Sequence, residues 1–140
     1  MARLLNDAQK TSLRVTLRLI EERLLLLKIF IEKEKIEGSV YCFWADVPAE
    51  TIALLERRID QILETVREIA ETFALHKKID KLSDRLRATG SYFETLLIDQ
   101  YAGKLVRYGM VAPELEQTLD PLLTKLREQI RTFEQKFERD

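Results

Sequence analysis

The chain has 140 residues, of which 46% are hydrophobic and 34% are charged, a composition typical of a folded domain rather than a disordered segment. Its formal net charge of −1 provides no long-range attraction to nucleic acid or to anionic lipid. One cysteine and one histidine exclude an intrachain disulfide and a zinc site built from several such side chains.

The first predicted helix spans about residues 7–37. Asn6 and Gln9 have the spacing of a capping box at its start, and Gly38 is a residue type that ends helices. Its apolar residues alternate spacings of four and three, as in helices that cross at shallow angles. This first stripe consists of Leu13, Leu17, Ile20, Leu24, Leu27 and Ile31. It predicts packing against other helices along most of helix 1.

Helix 1 also carries a second stripe, rotated by roughly 200° from the first at ~100° per residue. The second stripe is Val15, Leu19, Leu26 and Ile29, and Glu22 interrupts it. An outer helix of a four-helix monomer needs only one apolar face. The second stripe is therefore either covered inside the monomer, by the aromatic connection or by helix 4, or it is a surface for a partner.

The connection over residues 38–47 is unusually apolar. Apolar connections often close the end of a helical bundle, and Cys42 is then a small apolar filler. Aromatic residues are also frequent in binding hot spots, so Tyr41, Phe43 and Trp44 form a candidate aromatic anchor for a partner.

Helix 2 is predicted over residues 47–76, with Asp46 and Pro48 at its start. Its single apolar stripe again alternates spacings of three and four, while acidic and basic side chains occupy the opposite face. The stripe consists of Ile52, Leu55, Ile59, Ile62, Val66, Ile69 and Phe73. This is the pattern of a helix that buries one face and exposes the other.

Two positions compete for the next break. The apolar phase shifts after helix 2, which predicts a turn near Lys77 and a third helix over 79–108. The alternative break is at Gly90, because Ser91 and Glu94 have capping-box spacing. We favour the turn near Lys77, since the apolar residues of helix 3 keep one 3.6-residue phase through Gly90.

The fourth helix is predicted over residues 113–138, after Gly109 and with Pro113 in its first turn. Pro121 lies inside its apolar pattern. A proline there removes a backbone donor, so we expect a kink or a fresh helix capped by Asp120.

Four helices of similar length with short connections predict an all-α fold, an antiparallel up-down four-helix bundle forming a single domain over residues 1–140. The N-terminal residues have no apolar core of a signal peptide. The most apolar run, residues 24–31, is far shorter than the ~20 residues that span a bilayer. We therefore expect a cytoplasmic protein without membrane insertion.

No residue pattern predicts catalysis, a cofactor or a metal. His76 has no carboxylate three residues before it, which excludes the paired motifs of di-iron bundles. No glycine-rich phosphate-binding loop occurs. The basic residues at the start of helix 3 are interspersed with aspartates and lack stacked aromatics, so nucleic acid is not an expected partner.

The leading functional hypothesis is a non-enzymatic interaction or scaffold protein. It would form a homodimer, or dock a partner helix, through the second stripe. The alternative is a small-ligand-binding or sensor bundle in which Gly90 and Gly103 make room for an aromatic pocket. The pocket residues would be Tyr92, Phe93, Tyr101 and Tyr108.

Overall fold

The computed structural model describes residues 4–135, with the side chains of residues 4–133. These residues form helices and one small antiparallel sheet, which confirms the predicted all-α class. In chain order the elements are α1 (Asp7–Lys33), β1 (Lys35–Glu37), β2 (Cys42–Trp44), α2 (Ala49–Thr72), α3 (Leu82–Ile98), α4 (Ala102–Leu105), a 3-10 helix (Val106–Tyr108) and α5 (Leu115–Gln135). None of these helices is both long and apolar enough to cross a membrane.

The chain divides into two compact units, Met1–Lys78 and Ile79–Asp140. In the first unit α1 packs against α2, and in the second unit α5 packs against both α3 and α4. The predicted single domain over 1–140 stays a prediction.

The start of α1 confirms the predicted capping box. The Asn6 side chain accepts a hydrogen bond from the backbone N–H of Gln9 at 2.8 Å, and the Gln9 side chain accepts one from the backbone N–H of Asn6 at 2.9 Å. Two backbone donors without a partner inside the helix are thereby satisfied.

The end of α1 differs from the prediction, because the helix stops at Lys33 and residues 35–37 form β1. Ile36 pairs with Phe43 of β2, and both side chains are half-buried. Pairing of the β-branched Ile36 with the aromatic Phe43 therefore overrides the helical propensity of this segment. Gly38 lies in the hairpin turn, where its N–H donates to the Tyr41 carbonyl at 2.7 Å.

The seam between α1 and α2 contains the buried apolar residues Ile59 and Val66, two turns apart on α2. Lys28 Nζ lies 2.9 Å from Asp60 Oδ1 across this seam. The hydrogen bond and the charge of Asp60 raise the pKa of Lys28. Apolar spacing thus sets the pairing of the two helices, and one ion pair spans them.

The end of α2 is a Schellman motif with alanine in the position that usually holds glycine. Ala74 has a φ of 51°, and its N–H donates to the Glu71 carbonyl at 3.3 Å. The N–H of Leu75 donates to the Ala70 carbonyl at 2.9 Å. This pair of bonds defines the motif. It explains how the predicted break near Lys77, which is confirmed, forms without Gly or Pro.

Helix α3 contains Gly90 as a buried residue, so the alternative break at Gly90 is wrong. The predicted continuation of this helix to residue 108 is also wrong, because α3 ends at Ile98. Tyr101 is extended (φ −62°, ψ 153°), and Ala102 begins the short helix α4. The Ala102 N–H donates to Asp120 Oδ1 of α5 at 2.9 Å, a tertiary bond that local spacing does not predict.

Helix α5 runs from Leu115 to Gln135 with Pro121 inside it. The alternative of a fresh helix starting at Pro121 is therefore wrong, and Asp120 binds the start of α4 instead of capping such a helix. The predicted end at residue 138 lies outside the described residues.

Candidate interaction surface

The second stripe lies on α1 with every member more than one-third exposed. Val15 is 39% exposed, Leu19 48%, Leu26 49% and Ile29 54%. Helical geometry turns these positions away from the seam with α2. They therefore form an apolar strip along the outer side of the helical hairpin.

The exposure follows from the composition of α1. Residues 24–31 are apolar except for Lys28, so they present hydrophobic side chains in every direction around the helix. A single partner helix covers only one side. Leu25 and Leu27, which flank the second stripe, are consequently also 49% exposed.

The second stripe is large enough to contribute substantially to an interface. Its four side chains expose on the order of 350 Å², which is within the range of the largest apolar patches of ordinary monomers. Each partner in a standard protein interface buries roughly 800 Å². The second stripe thus supplies a little under half of such a surface. Glu22, which interrupts it, pairs with Arg18 one turn earlier at 3.5 Å.

The candidate aromatic anchor is divided between two environments. The Phe43 ring packs on Phe30 of α1 with a centroid distance of 5.0 Å. Tyr41 is exposed, and so is Trp44, whose ring centroid lies 6.0 Å from Lys35 Nζ. Phe43 therefore fixes the hairpin to α1, while Tyr41 and Trp44 face solvent.

The four aromatic residues of the alternative pocket are distributed over several elements. Tyr92 and Phe93 lie in α3 and are both exposed, and Tyr108 is exposed in the 3-10 helix. Tyr101 precedes α4, and its hydroxyl lies 3.2 Å from Thr124 Oγ1 of α5. The ligand-sensing function based on these residues stays a prediction.

A groove in the first unit was missed by the sequence reasoning. This α1–α2 groove is open to solvent and has a volume of about 740 Å³. Its floor is apolar and consists of Leu17, Leu25, Leu63, Val66, Ala70 and Leu75. Arg14, Arg18 and Glu21 line it from α1. These three residues and Leu25 recur at spacings of three and four, a signal that was available in the sequence.

Most charged side chains of the α1–α2 groove form ion pairs. Arg67 bonds to Glu64 and lies 3.4 Å from Glu71, and these carboxylates raise the pKa of Arg67. Asp60 pairs with Lys28 and Arg18 pairs with Glu22. Local charges along most of the groove are therefore compensated.

One end of the α1–α2 groove has a different charge balance. Arg14, Lys77 and Lys78 line this end and form no ion pair with any residue that the structure describes; we call them the cationic end. Arg14 and His76 also line an adjoining cavity of about 320 Å³, which contains Lys10 and Asp7. The Schellman motif at Ala74 directs residues 75–78 to this location.

Residues 4–135 were examined for side chains that could hold a metal ion and for reactive cysteine or histidine. No group of three or more His, Cys, Asp or Glu side chains is arranged to hold a metal ion there. Cys42 is an exposed free thiol in β2, and His76 is exposed after α2. Comparison with protein-family models, curated proteins and solved structures found no significant match for this chain.

Proposed function

We propose that this chain is a non-enzymatic interaction or scaffold protein that self-associates, or docks a partner helix, through the second stripe. The observation that carries the proposal is the exposure of Leu19, Leu26 and Ile29 on a helix whose other side already packs on α2. Apolar side chains in that state gain free energy when a second apolar surface covers them.

The energetic balance favours association of moderate strength. Covering about 350 Å² at ~25 cal/mol per Å² stabilises a complex by about 9 kcal/mol per copy. The loss of translational and rotational freedom costs about 4–15 kcal/mol. The second stripe is therefore sufficient to hold a complex only if the partner surface is also apolar and well packed.

A second copy of the chain is the simplest partner. In a two-fold dimer the same stripe is buried on both copies, so each apolar residue contributes twice. The antiparallel four-helix bundle predicted within the single chain stays a prediction. An exposed free Cys42 fits a reducing compartment, and we propose the cytoplasm.

Light scattering coupled to size-exclusion chromatography tests this function. The wild type should be a dimer, and the double variant Leu19→Glu/Leu26→Glu should be a folded monomer, because each dimer would bury four uncompensated carboxylates. The control is Arg57→Glu/Gln61→Glu, which adds acidic side chains to exposed positions of α2. The control should remain dimeric. A monomeric wild type would contradict self-association.

A further inference from the structure

We propose that the α1–α2 groove binds a free, single-chain anionic amphiphile, with an aliphatic chain on the groove floor and a carboxylate or phosphate head at the cationic end. The proposal does not depend on self-association. Around the α1 axis, the groove positions Arg14 and Glu21 are separated from the centre of the second stripe by roughly 100°. Leu25 lies between the two surfaces, but no member of the second stripe lines the groove.

The dimensions of the groove fit such a ligand. The apolar floor extends along α1 from the level of Arg14 to that of Leu25, about 16 Å at 1.5 Å per residue. The volume of about 740 Å³ lies in the range of small-molecule sites. Leu63 and Val66 of α2 provide the opposite side of the floor. Leu63 is half-buried and Leu25 is 49% exposed, so an extended aliphatic chain would cover apolar surface that the helical hairpin leaves accessible, whereas Val66 is already buried beneath it.

The charge distribution selects the sign and the position of the head group. Within the described part of the chain, Arg14, Lys77 and Lys78 have no carboxylate partner, while Glu21 is the groove's acidic residue without an ion pair. Glu21 lies two turns from Arg14 along α1. An anionic head is therefore favoured at the cationic end, where Arg14 can form a two-pronged hydrogen bond to a carboxylate or phosphate.

The same features argue against other occupants. A polyanion along the groove would approach the carboxylates of Glu64 and Glu71. A flat anionic bilayer contacts the exposed lysines but cannot place lipid chains on a floor recessed between two helices. A monomeric amphiphile meets both the apolar floor and the cationic end.

Isothermal titration of the full chain with dodecanoate, below its micellar concentration, tests the proposal. Binding should saturate at one ligand per chain. Arg14→Glu/Lys77→Glu should weaken it by about tenfold or more, because two charge-assisted contacts are lost. The matched control Arg23→Glu/Lys33→Glu makes the same charge change at exposed α1 positions outside the groove and should bind as the wild type does. Ala70→Phe, which fills the floor, should also weaken binding.

Three further measurements decide between occupants. Dodecyltrimethylammonium should bind at least tenfold more weakly than dodecanoate, and equal binding would overturn the role of the cationic end. Binding to anionic vesicles without binding to dodecanoate would overturn the proposal in favour of a membrane surface. A change of oligomeric mass in Arg14→Glu/Lys77→Glu, with no dodecanoate binding by the wild type, would identify a second copy in the groove instead.

The test is separable from that of self-association. Leu19→Glu/Leu26→Glu should retain dodecanoate binding whether or not the wild type is a dimer, because neither side chain lines the groove. Absence of saturable dodecanoate binding in the wild type would overturn the groove proposal and leave the proposed function unaffected.

Discussion

The two units of the chain hold their helices together in different ways. In the first unit, α1 and α2 meet along an apolar seam with Ile59 and Val66 buried, and Lys28 pairs with Asp60 across it. In the second unit, polar side chains connect the helices at several points. Glu94 of α3 bonds to Arg131 at 2.8 Å and to Arg127 at 3.4 Å, both in α5.

The second unit also relies on small residues. Gly90 of α3 and Ala102 of α4 are buried, and no larger apolar side chain of that unit is buried to the same degree among the described residues. Small residues let helices approach closely, and polar groups then come within bonding distance. Asp120, which accepts from the Ala102 N–H, is an example.

The comparison of the two units indicates where the chain carries apolar surface that its own packing does not cover. In the first unit this surface lies on α1, which has apolar residues on all sides but packs against one neighbouring helix. A helix richer in apolar residues than its packing requires is a candidate for binding. Substitutions can test whether the first unit is held together by apolar packing and the second unit by polar contacts and small residues.

The largest effect is expected at the apolar seam. Ile59→Ala should destabilise the protein by about 2–4 kcal/mol, because it removes buried methyl groups and leaves a cavity. Ile62→Ala on the same helix, at a 46% exposed position, is the matched control and should have a much smaller effect. Urea unfolding measures the decrease in the free energy of unfolding. Amide hydrogen exchange should show that protection is lost mainly in α1 and α2. Equal effects of the two substitutions would contradict a seam centred on Ile59.

A smaller loss of stability is expected when a large side chain replaces the buried glycine of α3 in the second unit. Gly90→Leu should destabilise by about 1–3 kcal/mol, because a leucine side chain introduced at a buried helical position has to displace the groups that bury it. Thermal unfolding and exchange of α3 and α5 amides measure this loss. Gly103→Ala is the control, because nothing lies within 4 Å of its Cβ position, and it should be neutral or stabilising. A stable Gly90→Leu variant would show that α3 does not depend on close packing.

A substitution at the C-terminal end of α2 should increase the stability of the protein instead of lowering it. Ala74→Gly should stabilise the protein by about 0.5–1 kcal/mol, because glycine adopts the positive φ of 51° without the steric cost of a Cβ atom. Ala53→Gly, at an exposed helical position in the second turn of α2, should instead destabilise by about 1 kcal/mol. Denaturant midpoints compare the two. A loss of stability in Ala74→Gly would contradict the left-handed geometry at this residue.

The smallest effect concerns the pH dependence of the polar contacts. The hydrogen bond from Arg131, together with Arg127, lowers the pKa of Glu94, although partial burial opposes this shift. A carboxyl whose pKa is lower in the folded protein contributes stability above its unfolded pKa of about 4.3, and this is lost as pH falls through the folded value.

The free energies of unfolding of the wild type and of Glu94→Gln, measured as a function of pH, should therefore differ at neutral pH and converge as the pH is lowered. Glu128→Gln, at an exposed acid of α5, is the control and should run parallel to the wild type. Parallel curves for Glu94→Gln would show that its contacts with the arginines do not contribute to folding.

The helical content, the capping box at Asn6 and the break near Lys77 were predictable because they depend on residues close together in sequence. Periodicity also identified the second stripe as a surplus on helix 1. The sequence alone predicts helix 1 through residues 35–37 and helix 3 past Ile98, because both segments have ordinary helical composition; the structure ends both helices earlier. Asp120 is predicted as a local cap because it directly precedes Pro121, whereas its observed partner is distant in sequence.

By itself, then, the sequence determined which segments are helical and which sides of those helices are apolar, because helix formation and side-chain direction follow from neighbours three and four residues away. Only the tertiary structure decided that β1 pairs with β2, that Asp120 bonds to the start of α4, and that Arg14 and Lys77 meet at one end of a groove. Those contacts join residues distant in sequence, and their partners are fixed by how the helices pack. The charge of the groove end is accordingly a property of the fold, while the apolar surplus of α1 is already present in the sequence.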